Sequence, residues 1–556
     1  GALDAPTIDL SAIEPAWLAV SDHQLVDDPR LPAARAGVRL ARWLSTGDAG
    51  GPATLATLTA RHLEIDGWVD SAVNDAEAGV DDHALAAALE RVLDAVRGRR
   101  DSHDLAFASA IAREGCDERA EGVLTLERLL PEIVLPLAKR QPTLLLVLDG
   151  MSVSVAVEIM GRVGSGVEFG LVECLLPGAS ERTAALAALP SVTEASRTSL
   201  LTGRLASGQQ DAERAGFKSL ARSHGLAEAP LFHKRLLDSG RGGFALADEV
   251  RLAVADTERT PLVACVLNTI DDALDRNDPA GTDWAADSVK HLAPLLRAAR
   301  AAGRVVVLTS DHGHVVERRR GVQRGVGLGG RVREASGEVG ADEVLVAGPR
   351  VLTPGHRAVL AVNERLRYGP LKAGYHGGAA PAEVVVPVLA LVPAGIDALE
   401  PAPVAEPAWW DLTTQLGSPT APMTPAPAAS AVAAQPDLFA EEPEPIAQAA
   451  TASHLGHRLV ATDAYKAQRA LIGRLAVSDD RVSALVDALA AVPDHRLSAT
   501  RVGALIGVPL NRVPMAMTQV AKLLNVEGYA VVSSDPGTQA VVLDPALLSE
   551  QYGVVL

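Results

Sequence analysis

Three apolar runs in this chain stop at carboxylates. TLLLVLDG ends in Asp149, PLVACVLNTIDD runs into Asp271 with Asp272 and Asp275 close behind, and RVVVLTSDHG ends in Asp311 followed directly by His312. A lone Asp after a strand caps a helix or shapes a turn. Repetition at several strand ends is different, because unneutralised carboxylates near one another repel and raise each other's pKa values. A cation is the simplest remedy. Carboxylates mixed with imidazole suit divalent transition metals, zinc first and manganese next. A pair of such ions about 4 Å apart serves phosphoryl transfer, one activating the attacking oxygen and the other stabilising the leaving oxygen.

The attacking oxygen has a candidate in LPSVTEASRTSLLTG, Leu189 to Gly203. Thr193 stands at the entrance to a helix that carries small polar residues where a core helix would carry leucine. One reading of its hydroxyl is capping of the first free amides. The other is chemistry: an alcohol that a metal deprotonates, at a helix start whose amides and dipole favour anionic phosphate. The strand-end acids favour the second.

The elements that must position these groups follow from periodicity. From residue 135 to 397, continuous apolar strands alternate with helical stretches such as DWAADSVKHLAPLLRAARAAG, which predicts an α/β domain with a parallel sheet covered on both faces. In such sheets, ligands bind beyond the carboxyl ends of the strands, where the acids lie. Residues 1–134, with apolar side chains every three or four positions, predict a helical domain; its His62, His83 and His103 read as surface or capping residues. Residues 398–450 are rich in Pro and Ala and lack any Lys or Arg, so a flexible linker is expected. Its aromatic islands, Trp409 with Trp410 and Leu438 with Phe439, leave docking on a neighbouring surface open. Residues 451–556 read as helices followed by a hairpin, YAVVSSDPGTQAVVLD, a winged-helix-like domain. Its third helix carries only Lys522 centrally, with Arg512 just ahead, which favours protein contact over DNA.

Composition sets outer limits. A chain of 556 residues with 48% hydrophobic content supports several cores. The longest apolar runs fall far short of the roughly 20 residues that span a bilayer, and GALDAPTIDL has no signal-peptide pattern. Three cysteines, Cys116, Cys174 and Cys265, form no CxxC pair and suit a reducing cytoplasm as small core residues. A net charge of -18 opposes nucleic-acid binding through bulk charge but leaves room for local basic patches. One such patch is ERRRGVQRGVGLGGRVR, residues 317–333, whose side chains suit a phosphodiester backbone. Its GVGLGG formally matches GxGxxG, yet no strand leads into it and no helix follows, so a dinucleotide site is not expected.

In order, VLDGMS, LPSVTEASRTSLLTG, a DxxxD pair, SDHGH and GYHGG resemble the motif set of the alkaline phosphatase superfamily, and within it the PglZ family of BREX phage-exclusion systems, to which YHGGAAPAEVVVPVLAL is especially similar. The resemblance covers residues 135–395. It implies an alkaline-phosphatase-like fold and a metal-dependent phosphohydrolase, a phosphodiesterase acting on nucleotides or nucleic acid. Thr193 matches the nucleophile and, with Asp149, Asp311 and His312, ligates one metal; Asp271 and His376 match ligands of the other. Asp275 stands where the family's phosphodiesterases have His, a departure that shifts preference from zinc toward manganese or weakens the site; Asp272 is the alternative ligand. His314 is implied as a substrate or outer contact. For Arg197, phosphate binding and a salt bridge on the helix surface both stand open. The implied partners are a methyltransferase (PglX), an ATPase (PglY) and a kinase (PglW), which leaves a second reading, a phosphatase fold retained as a scaffold in a phage-defence complex.

Overall fold

The computed structural model divides the chain into two compact units, Gly1–Pro422 and Met423–Leu556. It describes residues 9–21, 28–47, 53–118, 120–238, 245–275, 284–318, 321–325 and 327–412 of the first, and 455–462, 465–466, 469, 477–492, 495–506, 513–525, 531–534 and 540–554 of the second.

The first unit is built on an eight-stranded sheet. Its strands are β1 (Leu124–Thr125), β2 (Thr143–Leu148), β3 (Leu171–Cys174), β4 (Thr183–Leu186), β5 (Leu231–Phe232), β6 (Leu262–Leu267) and β7 (Val305–Thr309). An excursion of short strands follows: β8 (Val315–Val316), β9 (Val322–Gln323), β10 (Val332–Glu334), β11 (Glu343–Ala347), β12 (Arg357–Ala361), β13 (Leu366–Arg367) and β14 (Gly374–Tyr375). The chain then re-enters the sheet as β15 (Val385–Pro393). The order is β1-β4-β15-β7-β2-β6-β5, with β3 also paired to β15.

Strands β5, β6, β2 and β7 are mutually parallel, as their unbroken apolar sequences predict. Along β2, Leu144, Leu146 and Leu148 enter one core with the helices Val153–Val163, Asp248–Ala255 and Leu292–Ala301. Leu145 and Val147 enter the other, with the helices Thr193–Thr202 and Gln210–Ser223. Two-sided burial is the period-2 geometry of a strand applied to a sheet covered on both faces. The sheet is mixed, however: β15 runs antiparallel to β7, β4 and β3. The excursion starts and ends at the same edge of the sheet, so the returning strand must run the opposite way.

The N-terminal helices Leu31–Ser45, Gly67–Glu77 and His83–Ala110 pack together within this unit, and Gly67 sits so close to the sheet-covering helix that a Cβ there would lie 2.3 Å from Val153 Cγ1. Contrary to the surface reading, His62 and His103 are buried, His103 Nδ1 lying 3.0 Å from Asp66 Oδ1. Trp409 and Trp410 dock here: both are buried, Trp410 packs edge-on against Trp68 at 4.9 Å, and the Arg39 guanidinium lies 3.7 Å from its ring centre. Leu438 and Phe439 lie outside the described residues. No helix among the described residues is long and apolar enough to cross a membrane.

In the second unit, the helices Asp479–Ala490, Ala499–Ile506 and Val513–Leu524 precede β17 (Val532–Ser534) and β18 (Val541–Leu543), with β16 (Arg496–Leu497) completing an antiparallel sheet of order β16-β18-β17. Helices followed by a hairpin are the expected winged-helix-like arrangement. Strand β16, only two residues long, gave no periodic signal.

Candidate metal and phosphate site

The parallel register sets the site. Leu148 of β2 pairs with Leu267 of β6, and Val147 with Thr309 of β7, so Asp149, Asn268 and Ser310 emerge together at the carboxyl edge. The Asp149 amide donates to Leu267 O, and the Asp271 amide to Asp149 O. Gly150 turns the chain at φ 78°, a left-handed conformation that glycine adopts at no steric cost. Ser310 Oγ ties the neighbouring loop down by accepting from the Met151 amide at 2.9 Å. Behind His312, Gly313 passes so near the helix Pro381–Val384 that a Cβ would fall 2.0 Å from Ala382 O.

Thr193 is the first residue of its helix, with Val192 as the cap and no side-chain capping bond. Its hydroxyl lies 2.9 Å from His312 Nε2 instead. The small polar side chains that follow satisfy themselves on the backbone: Ser199 Oγ donates to Ala195 O and Thr202 Oγ1 to Thr198 O. They also keep the helix thin enough for the helix Gln210–Ser223 to close on it at Gly216, where a Cβ would lie 2.4 Å from Thr202 Cγ2.

Two groups of metal-ligand atoms converge beside this hydroxyl, each within 4.8 Å: Asp149, Asp311 and His312, all buried, and Asp271, His312 and His376, on the more open side. The atoms left over in the first group fit a cation. Asp311 Oδ1 accepts the amides of Gly150 and His312, while Asp311 Oδ2 and Asp149 Oδ1 are buried with no hydrogen-bond partner among the described residues. A buried anionic oxygen without a partner is costly, and a metal ion is the natural complement to two of them beside an imidazole. His312 Nδ1 donates to Gly313 O and His376 Nδ1 to Ser191 O, which leaves both Nε2 lone pairs facing the cluster. The two rings stack at 4.1 Å.

Electrostatics agree. Burial, reinforced by the Asp311 charge, pushes the Asp149 carboxyl well above the usual range; burial also raises Asp271. Burial, with His312 alongside, holds His376 well below an ordinary imidazole.

Asp275 does not join either group. Its Oδ1 lies 2.6 Å from Lys372 Nζ and its side chain is 67% exposed, because the helix Thr269–Leu274 ends just before it and turns it outward. Asp272 likewise pairs with Lys234 at 2.5 Å. His314 is buried behind the site, its Nδ1 donating to Gly150 O at 2.7 Å, and burial pushes it down to about 4. Arg197 is neither on the surface nor open to solvent: its NH1 meets Asp149 Oδ2 at 2.5 Å and its Nε meets Glu213 Oε1 at 2.9 Å. The basic run is also largely structural. Arg331 is fully buried against Glu383 Oε1 at 2.9 Å, Arg318 binds Glu77 and Asn74, and Arg333 binds Glu343. Arg319 and Arg320 lie outside the described residues.

Sequence reasoning missed Asn268, whose Nδ2 donates to Asp149 Oδ2 at 2.5 Å, and Glu213 with His233, whose Nε2 donates to Glu213 Oε2 at 2.6 Å. Asn268 carried a signal, a polar residue ending the apolar run of β6. Glu213 carried none, since QDAERAGFKSLARS reads as an ordinary surface helix.

A mixed α/β sheet with acids and imidazoles gathered at its strand ends, opposite a threonine that opens a helix, defines an alkaline phosphatase-like domain. The family model for the BREX system PglZ alkaline phosphatase-like domain matches residues 129–391, and that for the BREX system PglZ C-terminal domain matches residues 450–553. The chain belongs to the BREX PglZ family. Similar solved structures include murine ectonucleotide pyrophosphatase/phosphodiesterase 5, 11% identical over 45% of this chain and 88% of that one, with a TM-score of 0.30. Another is phosphonoacetate hydrolase from Sinorhizobium meliloti 1021 in complex with phosphonoformate, 13% identical over 49% of this chain and 94% of that one, also with a TM-score of 0.30. No curated protein matches the chain.

Proposed function

We propose that the chain is a metal-dependent phosphohydrolase of a BREX phage-defence system, a phosphodiesterase acting on nucleotides or nucleic acid with Thr193 as nucleophile. The observation that carries this reading is the pair of buried oxygens, Asp149 Oδ1 and Asp311 Oδ2, that have no hydrogen-bond partner among the described residues and converge with His312 beside the Thr193 hydroxyl. Asp149, Asp311, His312 and Thr193 would hold one divalent ion, and Asp271 with His376 a second; the donor set suits zinc first and manganese next. Bound there, such ions supply positive charge that lowers the pKa of an alcohol and offsets the charge on phosphate.

The chain's own groups do the rest. Thr193 presents the attacking oxygen; its bond to phosphorus forms as the bond to the leaving oxygen breaks, the hydroxyl proton passing to solvent and the departing alkoxide taking one from water. The free amides at the helix start hold the phosphate oxygens. Asn268 and Arg197 fix the Asp149 carboxylate, and the partly exposed side at Asp271 and His376 would admit the water that cleaves the bond between Thr193 and phosphorus, freeing the remaining phosphate monoester and restoring the Thr193 hydroxyl. A scaffold would have no use for a buried cluster that lowers stability when empty. Residues 1–134 brace the catalytic region 135–397, and residues 451–556 offer the surface for protein partners such as the methyltransferase, ATPase and kinase of these systems.

Replacing Thr193 by Ala should reduce turnover of a chromogenic aryl phosphodiester by at least about 10³-fold while metal content stays close to wild type. Undiminished turnover by that variant would overturn the assignment.

A further inference from the structure

Three buried charged side chains stand in line behind the cation site. Glu213 is fully buried on the helix Gln210–Ser223, Arg197 is buried one turn into the helix Thr193–Thr202, and Asp149 directly follows β2. The Arg197 guanidinium is divided between the two acids, Nε to Glu213 Oε1 at 2.9 Å and NH1 to Asp149 Oδ2 at 2.5 Å. The far oxygen of Glu213 is held by His233 Nε2–H at 2.6 Å, from the residue that follows edge strand β5. Nothing in the packing alone calls for this acid, since a neutral side chain of the same size would fill the space without the several kcal/mol that desolvating a carboxylate costs.

We propose that Glu213 is a positioning residue for the buried cation: by sharing Arg197 with Asp149, it keeps that guanidinium from neutralising a ligand carboxylate. An arginine facing Asp149 alone would pull both oxygens into a closed bidentate pair. Divided between two acids, it contacts Oδ2 only, and Oδ1 stays turned toward Asp311 and His312. His233 completes the arrangement by fixing the Glu213 rotamer, so the line from β5 to β2 sets the charge of a metal ligand through partners that never touch the metal. The proposal rests on the reading that Asp149, Asp311 and His312 bind a divalent ion.

The test is titration of Mn²⁺ and Zn²⁺ into the metal-free full chain, with melting of each metal-free variant recorded alongside. Wild-type binding checks the underlying reading by itself; if the wild type binds neither ion, that reading fails first. Glu213→Gln keeps the shape and an oxygen acceptor but loses the charge, and it should weaken the buried site about tenfold or more, the range found when outer partners of metal ligands are replaced. In an Arg197→Gln background, the same change should alter affinity less than about twofold, because Glu213 acts through Arg197. Wild-type affinity in Glu213→Gln, or equal weakening in both backgrounds, overturns the proposal. Should Glu213→Gln alone fail to fold, the comparison of Arg197→Gln with the double variant decides: unchanged affinity supports the proposal and weakening refutes it.

Discussion

Thr193 Oγ1 lies 2.9 Å from His312 Nε2 across 119 positions of sequence. The contact is made where the start of one helix meets the end of β7, and it places a hydroxyl against the edge of a buried acidic cluster. The consequences are measurable.

Asp149 and Asp311 face each other with oxygens that have no hydrogen-bond partner among the described residues, so the metal-free protein bears their repulsion. Asp311→Asn keeps the oxygen that accepts two backbone amides and removes one charge. It should abolish tight metal binding and yet stabilise the metal-free protein by about 1–3 kcal/mol at pH 8. The sign in pH follows from proton counting. The folded Asp149 holds its proton to higher pH than the unfolded chain does, so stability is lost as pH rises from about 4 through its raised value. His314 and His376, both depressed, act oppositely but only up to about 6.5, where the unfolded imidazoles have released their protons. Across the range in which Asp149 titrates, its contribution to melting temperature should decline with rising pH in chelated wild type, decline less in Asp311→Asn, and flatten when metal is added.

Asp104 gives a second pH signal, away from the metal. It is buried in the helical region at 3.1 Å from Arg100, and burial pushes it up to about 8. Raised above its unfolded value, it favours the folded state below about pH 4, and that contribution is lost as pH climbs to about 8. Asp104→Asn should therefore lose less stability between pH 5 and pH 8 than wild type, by about 1–3 kcal/mol in urea unfolding. Identical pH profiles would show that Asp104 does not titrate this way.

Asp271 and Asp275, two of the three acids of the 271–275 segment, should separate cleanly. Asp271→Asn removes a member of the more open ligand group and should lower diesterase activity at least about 100-fold. Asp275→Asn breaks only an exposed pair with Lys372 and should leave activity within about twofold and stability within about 0.5 kcal/mol. An equal loss in both, measured by turnover and metal content, would restore Asp275 to the ligand set.

Glu383 supports the loop that carries His376. It is fully buried, accepts from Arg331 and caps the Gly378 amide at 2.8 Å. Glu383→Ala leaves a buried guanidinium without its acid and should cost about 3–5 kcal/mol in thermal or denaturant unfolding. Glu383→Gln, which keeps an oxygen acceptor, should cost less.

Legibility in the sequence followed the range of the forces involved. The strands were plain because burial on both faces demands unbroken apolar runs, and their ends located Asp149, Asp271 and Asp311 together through one topological rule. Thr193 was singled out by its place at a helix start. Reversal of β15 was hidden, since side-chain pattern does not encode strand direction. Arg331 and Arg318 looked like a phosphate cradle because charge is read from sequence while burial is not; their acids, Glu383 and Glu77, lie 52 and 241 positions away. The outward turn of Asp275 depends on where a six-residue helix stops, a matter of one residue.

The most direct measurement is anomalous diffraction from crystals of the full chain grown with zinc or manganese. The account predicts an anomalous peak at coordination distance, about 2.0–2.3 Å, from Asp149 Oδ1, Asp311 Oδ2 and His312 Nε2, next to Thr193 Oγ1. Strong metal peaks elsewhere, with none between Asp149 and Asp311, would contradict it.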